Sequence, residues 1–518
     1  MRFFHSPLHL PRPRRWRWLP LCLLLAFSGL ALPQGSTPST GATALPNLGD
    51  SNDLSPAAER RLGDRIAREL YRDPDYIDDP VLSDYVQGVW QPLLAAARQR
   101  GELLPQLDEA YAWEILMGRD RTVNAFALPG GYFGLHLGLL GMVGSRDELA
   151  SVLAHELSHV TQRHISRAMA RQAAQAPWLV GAMILGMLAA SKDPGAAQAT
   201  IVGGQAAAVQ SQLNYSRDME READRIGFGV QTQAGFAPEG FVSMFEKLQQ
   251  ANRLNDSGSF PYLRSHPLTT ERIADMQARV RQSDAANLHP HSTAEHAMVA
   301  ARARVLSNAA VDALRVWGQE ALPAHLAQAP ATNQIGTLYG ATLAALKLRD
   351  FAQAQATLVR LRERTRNDPQ AAHLSALLGL ELAQAQGQWA SADTWVQELQ
   401  DGSRASVLAR AQLALQRNQG AQAAQSLQTW LAEHPRDAQA WQLLASADAS
   451  TGRAVAAVRA EAEASVAHLD FAAALSRFKA AQDLARQSRQ AADLIDASIV
   501  DTRARQMEIL LREQALER

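Results

Sequence analysis

The spacing of apolar and polar positions divides this chain into stretches of different character. Residues 19–31 form a short, predominantly apolar run, and residues 33–55 are rich in Ser, Thr, Pro and Gly. From about residue 54 to 285, helical periodicity surrounds one extended stretch at 132–137, which follows a Pro-Gly-Gly turn. Beyond about residue 296, Ala, Gln, Leu and Arg dominate and strand signals vanish. The pattern predicts a mostly helical α+β domain with a small sheet, followed by an all-α region.

The N-terminus is typical of a bacterial secretory signal peptide. Five Arg residues and no acidic residue precede or enter the apolar run, which leads into small and polar residues near Ala31. Its 13 residues are too few for a transmembrane helix. Lipoprotein processing at Cys22 and a twin-arginine signal at Arg14–Arg15 fit less well, because the flanking residues are wrong for both. We predict a signal peptide at 1–31, a flexible linker at 32–53 and a periplasmic mature protein.

Charge and cysteine content narrow the function classes. Lys plus Arg (51) nearly equals Asp plus Glu (52), so the sequence offers no electrostatic argument for binding nucleic acid. Removing the five Arg residues of the signal peptide leaves 46 basic against 52 acidic residues, a net charge of -6. Cys22 is the single cysteine, which excludes a disulfide framework and a thiolate zinc site. A metal site in this chain must therefore use His and carboxylate ligands.

The segment from Ser145 to His164 carries the strongest chemical signal. Ser145 followed by Glu148 is a capping box that predicts the start of a helix. In that helix His155 and His159 are four residues apart, so both imidazoles project from one face and can reach one zinc ion. Glu156 can take a proton from the attacking water as a general base. This H-E-x-x-H arrangement predicts metal-assisted peptide hydrolysis.

A third ligand is expected from the segment around residue 220. On a helix, Glu220 and Asp224 share a face, so Glu220 can complete a site of two histidines and one glutamate. Asp224 can accept the free ring N–H of a zinc histidine, most simply His155, and orient it. The alternative is a solvated charged helix, because several further Arg, Asp and Glu residues lie nearby. Residues 289–296 nearly match an inverted motif, but Ser292 replaces the required histidine, and we interpret them as linker.

These features resemble the M48 family of zinc metallopeptidases, a gluzincin group. The resemblance rests on the H-E-x-x-H segment, on Glu220 to Asp224 and on the turn at 124–131, and it covers about residues 54–285. It implies a zincin-like domain with one Zn²⁺ per chain, Glu156 as the catalytic base and Asp224 as the orienting carboxylate. The Ser-His-Pro segment at 265–267 is similar to a loop that in this family can place its histidine on the zinc.

His266 therefore has two roles open to it. As a displaceable fourth ligand it would hold the enzyme latent, and as a hydrogen-bond donor it would stabilise the oxyanion. A structural histidine at a helix entry is the remaining alternative. The extended stretch at 132–137 is likewise open to two interpretations: an edge strand that binds substrate backbone by strand addition, or an ordinary core strand.

The C-terminal region looks repetitive. Helix starts are predicted after turns at residues 350, 387, 420, 452 and 470, and Pro369 and Pro435 lie 66 residues apart, or two units of about 33. Helix pairs with this period resemble tetratricopeptide repeats, which stack into a solenoid with a concave surface for a protein or peptide. We predict a linker at 286–295, repeats at 296–486 and a capping helix at 487–518. An irregular helical bundle is the alternative.

The family resemblance and the exported, repeat-bearing architecture together imply a function. We expect a periplasmic zinc endopeptidase that cleaves unfolded or misassembled outer-membrane β-barrel proteins and assists their assembly, with the β-barrel assembly machinery bound through the repeats. The alternative is a chaperone or scaffold whose zinc site is largely latent. The apolar segment at 178–190 is expected to be buried or to cover the active site, and peripheral contact with the outer membrane is the weaker alternative.

Overall fold

The computed structural model describes residues 54–171, 217–253, 260–283, 293–488 and 491–516. The predicted signal peptide at 1–31, the linker at 32–53 and the apolar segment at 178–190 lie outside these ranges. Within them, none of the helices combines the length and the apolarity needed to cross a membrane. This described part of the chain is mostly helical with one small sheet.

The N-terminal part of the described chain contains the sheet and the helices around it. These elements are, in order, α1 (Pro56–Arg72), α2 (Pro80–Gln99), α3 (Pro105–Ala110), β1 (Glu114–Gly118), β2 (Ala125–Leu128), β3 (Tyr132–His136), α4 (Leu137–Met142), α5 (Arg146–Thr161), α6 (His164–Arg171), α7 (Arg217–Gln233), α8 (Glu239–Arg253), α9 (Tyr262–Ser265) and α10 (Thr270–Gln282).

The sheet has three strands in the order β1-β3-β2. Strand β3 pairs in parallel with β1 and antiparallel with β2, and all five of its residues are buried. The extended stretch predicted at 132–137 is therefore the central core strand, and the edge-strand interpretation of it is wrong. The outer side of β1 is partly covered, because Ile77 N–H donates to the Met117 carbonyl at 3.0 Å. The other edge belongs to β2.

A tight turn joins β2 to β3, as the Pro-Gly-Gly sequence predicts. Gly130 and Gly131 adopt left-handed backbone angles, with φ of 73° and 79°. A Cβ at Gly130 would lie 2.6 Å from the Arg60 Cα, and one at Gly131 would lie 2.7 Å from the Tyr111 Cβ. Only glycine combines this conformation with so close an approach to α1 and to the segment before β1.

Helix α5 is the centre of the N-terminal core. Ser145 caps it as predicted, with its Oγ accepting from Glu148 N–H at 3.1 Å. The Glu148 carboxylate, however, accepts from Gly144 N–H and from Lys247 rather than from Ser145 N–H. Residues 147–161 are all buried, because α2, α7, α8 and β2 surround the helix. A helix without a solvent-facing side holds whatever side chains it carries in fixed positions.

The C-terminal part of the described chain is entirely helical. Its elements are α11 (Ala294–Ser307), α12 (Val311–Glu320), α13 (Pro323–Leu326), α14 (Ala331–Lys347), α15 (Phe351–Thr365), α16 (Pro369–Gln386), α17 (Trp389–Gln397), α18 (Arg404–Gln416), α19 (Gly420–Glu433), α20 (Ala438–Ser450), α21 (Ala454–Ala467), α22 (Phe471–Gln487) and α23 (Ala491–Leu516).

Local capping residues explain several of these helix starts. Asp350, Asp368, Asp437 and Asp470 each accept a backbone N–H from the first turn of the helix that follows. The predicted helix starts at residues 350, 387, 420, 452 and 470 are confirmed to within two residues. Successive helices from α18 to α23 pack against one another. The first helix begins at Ala294, inside the linker predicted at 286–295.

Two arginines of the helical region bind the start of α2. The Arg302 guanidinium makes two hydrogen bonds of 2.8 Å to Asp79, the buried N-cap of α2. Arg404 makes two of 2.7 Å to Asp78 and also binds Asp437. One hydrophobic core runs from Ile77 to Leu413, and residues 52–518 form one compact unit.

Candidate metal and active site

Helix α5 presents two histidines from one face, as the four-residue spacing predicts. The Nε2 atoms of His155 and His159 lie 3.0 Å apart, and both residues are almost completely buried. At this distance the two Nε2 atoms point towards a shared position. Burial fixes that arrangement, since neither side chain has solvent into which it can rotate.

Glu220 and His266 complete a group of four. Glu220 lies in the first turn of α7, and His266 follows α9 at the start of the Ser-His-Pro loop. One ligand atom from each of the four residues lies within 4.8 Å of the other three, and all four residues are buried. The predicted ligands His155, His159 and Glu220 are thus brought together, and His266 joins them.

The spacing of these atoms fits a tetrahedral zinc ion. Bonds of about 2.0–2.1 Å to zinc place neighbouring donor atoms about 3.3 Å apart. Here His266 Nδ1 lies 3.3 Å from His155 Nε2 and 3.0 Å from Glu220 Oε1. Glu220 Oε1 lies 3.4 Å from His159 Nε2. Three imidazole nitrogens and one carboxylate oxygen are also ligand types that zinc accepts. The residues therefore fit the metal that the sequence motif implies.

Glu156 lies beside this group, next to the β2 edge of the sheet. Its Oε2 accepts from the Ala127 N–H of β2 at 3.0 Å, and its Oε1 lies 3.4 Å from His266 Nε2. Burial raises the pKa of the Glu156 carboxyl above its usual range. A carboxylate with a raised pKa shares a proton with water more readily near neutral pH, which is what a general base requires.

Asp224 contacts the histidine that the sequence predicts for it. Its Oδ1 lies 3.0 Å from His155 Nδ1, on the ring nitrogen that faces away from the ligand group. This contact leaves the His155 Nε2 lone pair for a metal. Burial alone would lower the pKa of His155, but hydrogen bonds with Asp224 and Glu220 raise it to about 10. A metal bound at Nε2 must displace that proton, so metal uptake and proton release are coupled.

Arg272 is a residue of this site that the sequence analysis missed. Its Nε and Nη2 bind the two Asp224 oxygens at 2.6 and 2.8 Å, and its Nη1 lies 2.8 Å from Glu220 Oε2. Nη1 also donates to the Pro267 carbonyl at 2.9 Å. One guanidinium thus holds the orienting carboxylate, a ligand and the Ser-His-Pro loop. Its partner Asp224 is 48 residues away along the chain, a separation that no local spacing rule covers.

Tyr262 is a second residue that the sequence analysis did not single out. Its ring stacks on the His266 imidazole, with centroids 4.7 Å apart and planes at 28°. Its backbone N–H donates to the Val123 carbonyl at 3.3 Å, just before β2. The segment that carries His266 is therefore attached to the chain just before β2.

Comparisons with known proteins agree with this geometry. The family profile described as peptidase family M48 matches residues 94–280, a range that includes all four members of the ligand group. A Vibrio cholerae protein named as a beta-barrel assembly-enhancing protease is 34% identical over 346 residues. The match covers 66% of this chain and 67% of that protein. The chain belongs to peptidase family M48.

Other relatives differ in how much of the chain they share. The beta-barrel assembly-enhancing protease of Escherichia coli is 29% identical over 448 residues, covering 84% of this chain and 86% of its own length. The mitochondrial metalloendopeptidase OMA1 of Schizosaccharomyces pombe is 28% identical over 279 residues, or 52% of this chain. The match to the Escherichia coli relative is long enough to include part of the helical region as well as the segment that the M48 profile matches.

Proposed function

We propose that this M48 peptidase is a zinc-dependent endopeptidase. The observation that carries the proposal is the convergence of His155, His159, Glu220 and His266, with Glu156 beside them. The first three would hold the metal permanently. When bound there, zinc supplies a Lewis acid that polarises a scissile carbonyl and makes water more acidic.

The chain's own residues supply the proton transfers. Glu156 takes a proton from the attacking water and returns it to the leaving amine as the peptide bond breaks. The Ala127 N–H holds one Glu156 oxygen, and the other, Oε1, would face the reacting water once His266 moves away from it. Asp224 keeps His155 in the orientation that a ligand needs, and Arg272 keeps Asp224 ionised.

Extended polypeptide is the substrate class that the sheet favours. Glu156 receives its hydrogen bond from β2, an edge strand of the described sheet, so this edge lies beside the candidate base. A substrate segment that adds to this edge would pass Glu156 with its backbone aligned. Folded loops do not present such a segment, whereas unfolded or misassembled proteins do.

His266 is proposed to act as a latch in the arrangement described here. Its Nδ1 completes the ligand group, and its Nε2 faces Glu156, so it occupies the position that water and a substrate carbonyl need. The loop must move before cleavage. Its alternative role is donation to the oxyanion after such a movement.

Replacing His266 separates these two roles. If His266 is a latch, His266→Ala should cleave an unfolded model peptide faster than the wild type, because the blocked position is opened. If His266 is an oxyanion donor, the same substitution should lower kcat by about 10²–10³-fold. The zinc content of the variant is measured in parallel, and we expect it to remain at one ion per chain because three ligands are still present.

The biological setting is proposed from the relatives' names and from the sequence. We infer a periplasmic enzyme, exported by the signal peptide at 1–31, that degrades misassembled outer-membrane β-barrel proteins and assists their assembly. The helical region would form a tetratricopeptide-like solenoid, with the helix at 491–516 as its cap, and would bind the β-barrel assembly machinery. The relatives named as beta-barrel assembly-enhancing proteases support this setting.

A scaffold or chaperone with a latent metal site is the second candidate. It is favoured by the burial of the site, since His266 is 2% exposed and the other three ligands are no more exposed. In this case the helical region would carry the function, and proteolysis would be secondary or absent.

Glu156→Gln tests the proposal against the second candidate. The variant keeps the size of the side chain but cannot act as a base, so cleavage of an unfolded outer-membrane protein should fall by at least about 10²-fold. Glu363→Gln, at an exposed residue of the helical region, is the matched control and should cleave normally. Full cleavage by the Glu156 variant would refute the protease mechanism.

The same variant can identify the partners. An inactive peptidase that still binds should trap its substrates in the periplasm, and these should include barrel proteins or assembly factors. Recovery of neither class would remove the proposed biological role while leaving the chemistry intact.

A further inference from the structure

His159 has a second buried histidine on the side that faces away from the ligand group. The Nδ1 atoms of His159 and His164 lie 2.8 Å apart, and both residues are 0% exposed. On its other side, His164 Nε2 lies 3.0 Å from Glu222 Oε2. Arg167 Nη1 donates to the same Glu222 oxygen at 2.9 Å. A line of polar contacts therefore runs from the candidate ligand to a carboxylate that an arginine holds.

A break between α5 and α6 makes this contact. In a continuous helix, a residue five positions after His159 would project about 140° away from it around the axis. Arg163 instead adopts a left-handed backbone conformation with φ of 53°, which costs a non-glycine residue roughly 1–2 kcal/mol. Its guanidinium is held by Glu59 Oε1 at 3.1 Å and by Ser166 Oγ at 3.2 Å. The chain thus changes direction at Arg163, and this places the His164 ring against the His159 ring.

The hydrogen-bond directions in this line are consistent from end to end. A metal at His159 Nε2 needs the lone pair of that nitrogen, so the ring proton must be on Nδ1. That N–H donates to His164 Nδ1, which must then be an acceptor and leave its own proton on Nε2. The Nε2–H donates to the Glu222 carboxylate. Glu222 therefore selects the His164 tautomer that accepts from His159.

We propose that His164 is a positioning residue for the metal ligand His159, and that Glu222 sets its tautomer. His164 would orient His159 as Asp224 orients His155, but it does so with a neutral imidazole, whereas Asp224 uses a carboxylate. The inference rests on the proposed function in one respect, because it takes His159 to be a zinc ligand. It adds a requirement that the H-E-x-x-H motif does not contain.

Zinc affinity is the measurement that tests this role. The full chain is titrated with zinc against a chromophoric chelator, and thermal unfolding of the metal-free protein is recorded in parallel. His164→Phe keeps the ring but has no acceptor, and the loss of such an orienting contact should weaken zinc binding by about 10–100-fold. His164→Asn places an oxygen near the former Nδ1, so it should recover most of the affinity.

Two further variants separate positioning from folding. Glu222→Leu leaves His164 in place but removes the group that sets its tautomer, so it should weaken zinc binding less than His164→Phe. It also keeps the test available if His164→Phe does not fold. His296→Phe is the matched control, because His296 is equally buried but bonds to Tyr85 and to the Val143 carbonyl instead. It should lower stability and leave zinc affinity unchanged.

The outcomes distinguish this inference from the proposed function. If the wild type binds no zinc, the metal assignment itself fails. If the wild type binds zinc and both His164→Phe and Glu222→Leu bind it within about twofold of the wild type, far from the loss typical of an orienting contact, the positioning role is wrong. A fall in the unfolding temperature of the metal-free protein without a change in affinity would also overturn it, since it would show a purely structural histidine.

Discussion

Helices α5 and α7 approach each other closely at Gly227, and this contact offers a direct test of how the ligand geometry is held. A Cβ placed at Gly227 would lie 3.1 Å from the Ala154 carbonyl carbon and oxygen and from His155 N. Gly227 follows Glu220 and Asp224 on the same face of α7. Gly227→Ala should therefore push the helix that carries two site residues away from the helix that carries the histidines.

The size of the effect follows from two opposing contributions. Alanine in a helix is more favourable than glycine by about 1 kcal/mol. An extra methyl group forced against a packed backbone costs about 1–3 kcal/mol. The net change at Gly227 is therefore a loss of about 0–2 kcal/mol. Gly318 in α12 is the matched control, because nothing lies within 4 Å of its added Cβ. Gly318→Ala should be more stable than the wild type by up to about 1 kcal/mol.

Urea unfolding and zinc titration together measure this prediction. Each variant is unfolded with and without zinc, and zinc affinity is determined by chelator competition. Gly227→Ala should bind zinc more weakly, because a shift of a few tenths of an ångström changes the Glu220 position relative to His155. The reasoning is refuted if Gly227→Ala is stabilised as much as Gly318→Ala and binds zinc as tightly as the wild type.

Three other predictions concern the contact between Arg302 and Asp79, the buried His296, and the metal. Asp79→Asn keeps the N-cap but removes one of the two carboxylates that contact the buried Arg302 guanidinium, and Glu381 remains at 2.8 Å. It should therefore cost less than the about 3–5 kcal/mol of a fully unpaired buried charge, and adding Arg302→Met should recover part of that loss; simple additivity of the two losses would contradict a direct pair. Burial lowers the pKa of His296, so its contribution to stability is complete above about pH 6.5 and is lost as the pH falls. His296→Gln should flatten the acid side of the stability curve, and parallel curves would argue against this cause. Chelation of zinc should lower the unfolding temperature, with zinc at 100 times its Kd contributing about 2.7 kcal/mol, and an unchanged temperature would mean that the metal binds elsewhere or not at all.

Features that depend on local sequence are the ones that could be predicted. Ser145 starts α5 because a side-chain oxygen three residues from a backbone N–H is sufficient to cap a helix. The glycines after Pro129 form the turn because they alone adopt its backbone angles without strain. The pairing of His155 with His159 follows from helix geometry and needs no information about the rest of the chain.

Features that depend on the tertiary fold could not be derived in this way. The position of 132–137 within the sheet depends on strand order, which its alternation of residues does not contain. Arg272 and Tyr262 reach the site only because α9, α10 and the loop between them fold back over α7. The apposition of His164 to His159 needs the left-handed conformation of Arg163, and a helical pattern places these two histidines on different faces.

The ion pairs of Arg302 with Asp79 and of Arg404 with Asp78 determine how this protein can be divided into parts. The hydrophobic core continues from Ile77 to Leu413. A truncation before α11 would therefore expose apolar surface of α2 and α4 and would leave Asp78 and Asp79 without their arginine partners. Domains with separate hydrophobic cores tolerate such a truncation, whereas two parts that share one core do not. We therefore expect the peptidase and the helices nearest to it to be inherited, expressed and unfolded as a single piece.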